Sequence, residues 1–161
     1  MNIRTAMLSL LLSLPGVAAA EDKKIDKDQV PKAVIDAVAA RYPAGKLIAF
    51  EEETEGGKKA YEISVEVGVS NAELIISPDG KILTEETVIT VKDLPDAVTK
   101  ALAASKYARA TIRKIEKVVD TDKPRAPIFE IVVEQDAKKL ELAFDAQGAL
   151  TKVEEKGHEK G

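Results

Sequence analysis

The sequence predicts an α+β fold: two tandem repeats, each a helix followed by a four-stranded antiparallel meander. Both helices are expected on one face of the sheet, with the other face open. Three observations predict this. First, the chain repeats itself. Val30-Pro31-Lys32-Ala33-Val34 returns as Leu94-Pro95-Asp96-Ala97-Val98, and Tyr61-Glu62-Ile63-Ser64-Val65 as Phe129-Glu130-Ile131-Val132-Val133. Glu73-Leu74-Ile75-Ile76 returns as Glu141-Leu142-Ala143-Phe144, and Gly80 as Gly148. A repeat this long is a folding unit rather than a motif. Second, within each copy the hydrophobic period changes from helical to alternating. Third, a copy of about 70 residues is marginal alone, so the copies should join, most simply as one continuous sheet. A helix covers only one face of such a sheet.

Taken in order, residues 1–20 read as an export signal. Arg4 is the basic start, residues 6–14 the apolar stretch, and Ala18-Ala19-Ala20 the small-residue exit, with cleavage expected after Ala20. The apolar stretch is shorter than the ~20 residues that span a bilayer, so a retained anchor is the lesser alternative. The protein is therefore expected to be periplasmic or secreted, without stable membrane insertion after cleavage. Residues 21–29 are charged and read as an exposed lead-in.

The first repeat is placed at residues 30–91. Asp28 can cap its helix, and Pro31 suits the opening turn. Ala33, Val34, Ala37, Val38 and Tyr42 form one apolar face, and Pro43 and Gly45 end it. Strands are predicted at residues 46–54, 58–67, 72–77 and 81–91. In the second, Tyr61, Ile63, Val65 and Val67 alternate with Glu62, Ser64 and Glu66, the mark of a strand with unlike faces. Pro78-Asp79-Gly80 is a hairpin turn. The second repeat, residues 92–155, has its helix face at Ala97, Val98, Ala101 and Leu102. Its strands are predicted at residues 110–119, 127–134, 138–145 and 149–154. The loop at residues 120–127 is longer than its counterpart around Gly56-Gly57. Residues 156–161 read as a disordered tail.

Composition excludes several classes. The 161 residues hold 24 basic and 28 acidic side chains, three Phe, three Tyr and no Trp. That is not the footprint of a nucleic-acid binder, nor of a protein drawn to anionic membranes. With no cysteine, disulfides and thiolate metal sites are impossible. The single histidine, His158, lies in the tail, which removes Cys–His and most Ser–His catalysis and histidine zinc sites. No phosphate-binding glycine loop and no cofactor motif is present. Glu51-Glu52-Glu53 with Glu55 lacks the ligand spacing of a calcium loop and reads as solvated or paired across strands.

The stretches Val30-Pro31-Lys32-Ala33-Val34-Ile35-Asp36-Ala37, Tyr61-Glu62-Ile63-Ser64-Val65 and Glu73-Leu74-Ile75-Ile76-Ser77-Pro78-Asp79-Gly80-Lys81-Ile82-Leu83 resemble the PepSY-like, beta-lactamase-inhibitor-like family. The second copy matches more loosely, with Gln147-Gly148 in place of Asp-Gly. The resemblance implies a small exported bacterial protein. In the related inhibitor the open concave sheet face binds the enzyme, and PepSY domains of protease propeptides are thought to restrain proteases. These motifs are structural and speak to fold more than to function.

The alternation places Glu62, Glu66 and Glu73, with their counterparts Glu130, Glu134 and Glu141, on the face opposite the apolar set. A water-facing acidic surface is expected there, with Ile75 and Ala143 as a small apolar centre. Solubility and edge protection would account for such a surface. So would docking of an unknown, cationic protein or peptide. A non-enzymatic binding module is the leading expectation, with a protease- or hydrolase-inhibitor-like protein as its sharper form. A cation-binding or envelope-stress protein is the second, and an enzyme the last.

Overall fold

The computed structural model describes residues 23–55 and 57–156. The expected export signal with its cleavage at Ala20, and residues 157–161 of the expected tail, lie outside the described residues. Nine strands form one antiparallel sheet in chain order. They are β1 (Lys23–Lys24), β2 (Lys46–Glu55), β3 (Lys58–Val67), β4 (Ser70–Ile76), β5 (Ile82–Val88), β6 (Thr111–Asp120), β7 (Ile128–Gln135), β8 (Lys138–Asp145) and β9 (Leu150–Lys156). Helix α1 (Lys32–Arg41) precedes β2–β5, and α2 (Asp96–Ala104) precedes β6–β9.

The tail boundary and the helix cap are corrected, whereas the described lead-in is exposed as expected, Ile25 apart, and adds a pairing to the sheet. Lys23 and Lys24 pair with Glu52 and Glu51 of β2, and Ile25 packs on the first apolar cluster. Lys156, placed in the tail, is the last residue of β9 and pairs with Lys139. Asp28 is not the cap of α1. It lies in a 3₁₀ turn, Lys27–Gln29, that leads into Pro31, the N-cap residue. The Asp26 amide donates to the Gln29 side chain at 2.9 Å. The same device precedes α2, where the Thr90 amide donates to Asp93 at 2.9 Å.

Each helix packs its apolar side on the sheet. Val34 and Val38 of α1 meet Tyr61, Ile63, Val65, Leu74 and Ile76. Val98 of α2 meets Ile115, Phe129, Ile131, Val133, Leu142 and Phe144. Tyr61 and Phe129 are buried in these two separate clusters. Between them, on the same sheet face, lies a polar strip. The ladder pairs Leu74 with Glu85, Thr87 with Lys117, and Lys117 with Phe129. Glu85 accepts from the Tyr42 hydroxyl and is 2.8 Å from the Arg41 guanidinium. Burial, then the bond to Glu85, pushes the Tyr42 hydroxyl up to about 12.

The turns that follow β4 and β8 are bolted to the helices. Gly80 and Gly148 have φ of 89° and 86°, backbone that side-chain-bearing residues avoid. A Cβ on Gly80 would stand 2.7 Å from the Ala33 carbonyl oxygen, and one on Gly148 2.5 Å from that of Ala97. Register shifts fall at matching places too: Leu47/Ala49 and Ile112/Lys114, then Ile75/Ile76 and Ala143/Phe144.

Candidate functional site

Both apolar clusters draw on one face of the sheet, so the other carries whatever else the strands present. The register brings Glu62 beside Ile75, Glu73 beside Glu86, Glu116 beside Glu130, and Glu130 beside Ala143. Directly opposed residues point to one side, so carboxylates cross this face from β3 to β8. Ile75, Val118, Val132 and Ala143 stand among them.

The alternation therefore gives the side correctly, but not the solvent exposure. Glu62, Glu73, Glu130 and Glu141 were expected to face water, yet they keep only 5%, 7%, 4% and 6% of their accessible surface. Ile75 and Ala143 are buried as well. The reason is position within the sheet. These residues sit midway along inner strands, walled by side chains of the strands on both sides. Glu66 and Glu134 are exposed, because each stands beside the turn that ends its strand, opposite Asn71 and Lys139 respectively. Of the eight residues expected to form the docking face, only these two are in open solvent.

The sequence reading missed Glu86 and Glu116, which are 5% exposed each, and Lys114. The same period of two, carried through β5 and β6, places all three on this face. Carboxyl oxygens of Glu73, Glu86 and Glu116 lie within 4.8 Å of one another. The Lys114 ammonium is 2.5 Å from Glu116 and 3.9 Å from Glu73. At the far side Lys156 holds Glu141 at 2.9 Å, and Lys152 holds Glu154 at 2.7 Å. The exposed Glu134 pairs with Arg113. In the glutamate run of β2, Glu52 pairs with Lys59 at 2.8 Å, the cross-strand role expected for it.

Crowded, desolvated carboxylates hold their protons. Burial, followed by the charges of Glu130, Glu116, Glu73 and Glu62, pushes Glu86 up to about 9. Burial raises Glu73 to about 7, against the pull of Lys114 and with the push of Glu116. Burial and then Glu141 raise Glu130 to about 7, opposed by Lys156 and Lys152. At neutral pH the face is thus a mixture of neutral and ionised carboxyls. Raised carboxyl pKa values also mark acid catalysts. Here no described residue is a histidine or cysteine, and no nucleophile–base pair stands among the carboxyls.

The described residues thus form a one-layer antiparallel sheet with helices on one side and a carboxylate-lined face on the other. The family model described as "Putative beta-lactamase-inhibitor-like, PepSY-like" matches residues 18–84 and 83–152, and the chain belongs to that family. No curated protein matches the chain in sequence. Among solved structures it is similar to a "putative periplasmic" protein of Bacteroides eggerthii, at 19% identity and a TM-score of 0.67, over 78% of this chain and 88% of that one. It is similar to a DUF2874 family protein of Bacteroides ovatus, at 20% identity and a TM-score of 0.65, over 80% and 89%. It is also similar to a BLIP-like protein of Bacteroides fragilis, at 24% identity and a TM-score of 0.62, over 84% and 97%. These likenesses establish the fold. No described helix is long and apolar enough to cross a membrane.

Proposed function

We propose that this protein is a periplasmic, non-enzymatic binding module that engages a protein or peptide bearing basic side chains through the sheet face turned away from the helices. One observation carries the reading. That face gathers Glu62, Glu73, Glu86, Glu116, Glu130 and Glu141 around Ile75, Val118, Val132 and Ala143. Apolar centres ringed by carboxylates that outnumber the neighbouring Lys114, Lys152 and Lys156 suit a partner of the opposite sign. The exposed Glu66 and Glu134 would meet the partner first, and basic side chains reaching further in would replace protons on the buried row. Export rests on residues 1–20 and on the periplasmic description carried by the Bacteroides eggerthii protein. Units at residues 30–91 and 92–155 would each supply half of the face. The family's description and the BLIP-like relative make a hydrolase the first partner to try.

A photo-crosslinking residue placed at Glu134 tests the reading against one at Lys100, exposed on α2. In intact cells the first should give a discrete adduct that disappears at high salt, and the second should not. Adducts from Lys100 alone would move the working surface to the helices.

A further inference from the structure

We propose that the seam between the two halves of the sheet binds a hard divalent cation, calcium by its chemistry, through Glu73, Glu86 and Glu116. The three come from three consecutive strands, β4, β5 and β6. The first two belong to the half led by α1 and the third to the half led by α2, so the site exists only where the halves join. One carboxyl oxygen from each lies within 4.8 Å of the others. Oxygens bound to one calcium ion at about 2.3–2.6 Å can be no more than roughly 5 Å apart. The side chains already stand at that spacing.

A second observation, apart from the cluster itself, points to a missing counter-ion. Glu130 lies directly across from Glu116 and is 96% buried, with 4% of its surface left. It makes no hydrogen bond or ion pair with any described residue. Glu86, at 5% exposure, makes none either. Of these four carboxylates, Glu116 pairs with Lys114 and Glu73 lies at the limit of that ammonium, Glu130 has Lys152 and Lys156 only at longer range, and Glu86 has no lysine partner among the described residues. Buried carboxylates beyond the reach of a single ammonium need a metal or protons to balance them.

The donors decide which metal. All are carboxylate oxygens, the chain has no cysteine, and no described residue is a histidine. That disfavours zinc and copper, which prefer nitrogen and sulfur. Magnesium demands a near-ideal octahedron, whereas calcium accepts irregular sets of six to eight oxygens with carboxylates binding through both. Glutamates on three neighbouring strands form an irregular set of that kind. Lys114 retains a quarter of its side-chain surface, so it can swing outward as an ion enters. It acts as a built-in competitor for the site. This inference does not depend on the docking reading, since it needs no partner.

The test uses the purified protein, freed of metal with EDTA and titrated with calcium chloride or magnesium chloride by calorimetry and thermal melting. Calcium should give saturable heat and raise the melting temperature, and magnesium should do so at least tenfold more weakly. Glu86→Gln and Glu116→Gln should each weaken calcium binding at least tenfold, and Glu134→Gln should leave it unchanged. Lys114→Met should tighten it about fivefold or more by removing the competitor. That variant keeps the test decisive if a glutamine variant fails to fold. Absence of saturable heat in both the natural protein and Lys114→Met would overturn the proposal and leave protons as the balancing charge. Calcium binding untouched by Glu86→Gln and Glu116→Gln would also overturn it.

Discussion

The two halves of the sheet hold their backbones in the same way and their charges differently. Gly80 and Gly148 approach Ala33 and Ala97 alike, the register shifts match, and Tyr61 and Phe129 fill equivalent places under α1 and α2. On the other face the match breaks. Glu141 and Glu154, in the second half, each have a lysine within 3 Å. Their counterparts Glu73 and Glu86 have only the more distant Lys114 and no ion pair, respectively. The shared features are those without which helix and sheet cannot dock. The unshared ones are buried carboxyls, which cost folding energy unless a proton or a cation balances them.

The comparison can be broken or sharpened by experiment. The largest effect is expected in the cores. Tyr61→Ala and Phe129→Ala should each cost about 3–5 kcal/mol in chemical denaturation, and similarly to one another. A loss below ~1 kcal/mol in either, the scale of surface sites, would show that the halves are not equivalent.

Next come the turns. Gly148→Ala combines positive φ with a backbone clash and should cost about 2–4 kcal/mol. Gly57→Ala, at φ 78° but in open space, should cost only about 1–2 kcal/mol. Equal losses would mean that the bolt to Ala97 adds nothing.

The seam should show in the pH dependence. A carboxyl whose pKa folding raises binds more protons folded than unfolded, so its contribution is complete below the ordinary value of 4.5 and lost as pH rises. Stability should therefore fall through about 7 for Glu73 and Glu130 and about 9 for Glu86. The facing groups are Glu62 on β3, Lys114 and Glu116 on β6, and Glu130 on β7. Glu86→Gln should flatten the decline and stabilise the protein at pH 8 by about 1–3 kcal/mol, the desolvation cost of an unmatched polar group. Melting curves in EDTA from pH 5 to 9 measure this. A profile as steep as that of the natural protein would assign the loss to other groups.

The smallest effect is expected at the rim. Glu66→Lys should change stability by less than ~0.5 kcal/mol. Glu134→Lys, which loses the exposed pair with Arg113, should cost up to about 1 kcal/mol more. Both should slow association with a basic partner and weaken its dependence on salt. Unchanged rates would make them ordinary solubilising residues.

Most of the fold was legible in the sequence. The helices, eight of the strands and the side on which each strand residue points all follow from periodicity. What alternation cannot supply is depth. It placed Glu62 and Glu130 opposite the apolar set but could not tell that neighbouring strands would wall them in. A signal was available: Ile75, Val118, Val132 and Ala143 share their phase, and a purely solubilising face has little use for them. Glu86 and Glu116 were overlooked for another reason. Their strands, Ile82–Val88 and Thr111–Asp120, alternate weakly on the helix side, where Glu85 and Lys117 fill the strip between the cores. The strand at Lys23–Lys24 carries no periodicity at all, being two lysines held by the backbone of β2.

A sheet that grows by copying a unit along the chain has no built-in reason to stop at two copies, or at the boundary of one molecule. Here the stopping rule is written in the outermost strands. At one margin two lysines cover the middle of β2, pairing with Glu51 and Glu52. The other is β9, where lysines and glutamates outnumber apolar residues, and charged side chains on a sheet margin oppose the addition of a further strand. The molecule is in effect a fragment of an endless ribbon with both cut ends sealed. Charged residues at its two margins, rather than its interior, oppose growth of the ribbon beyond the nine described strands.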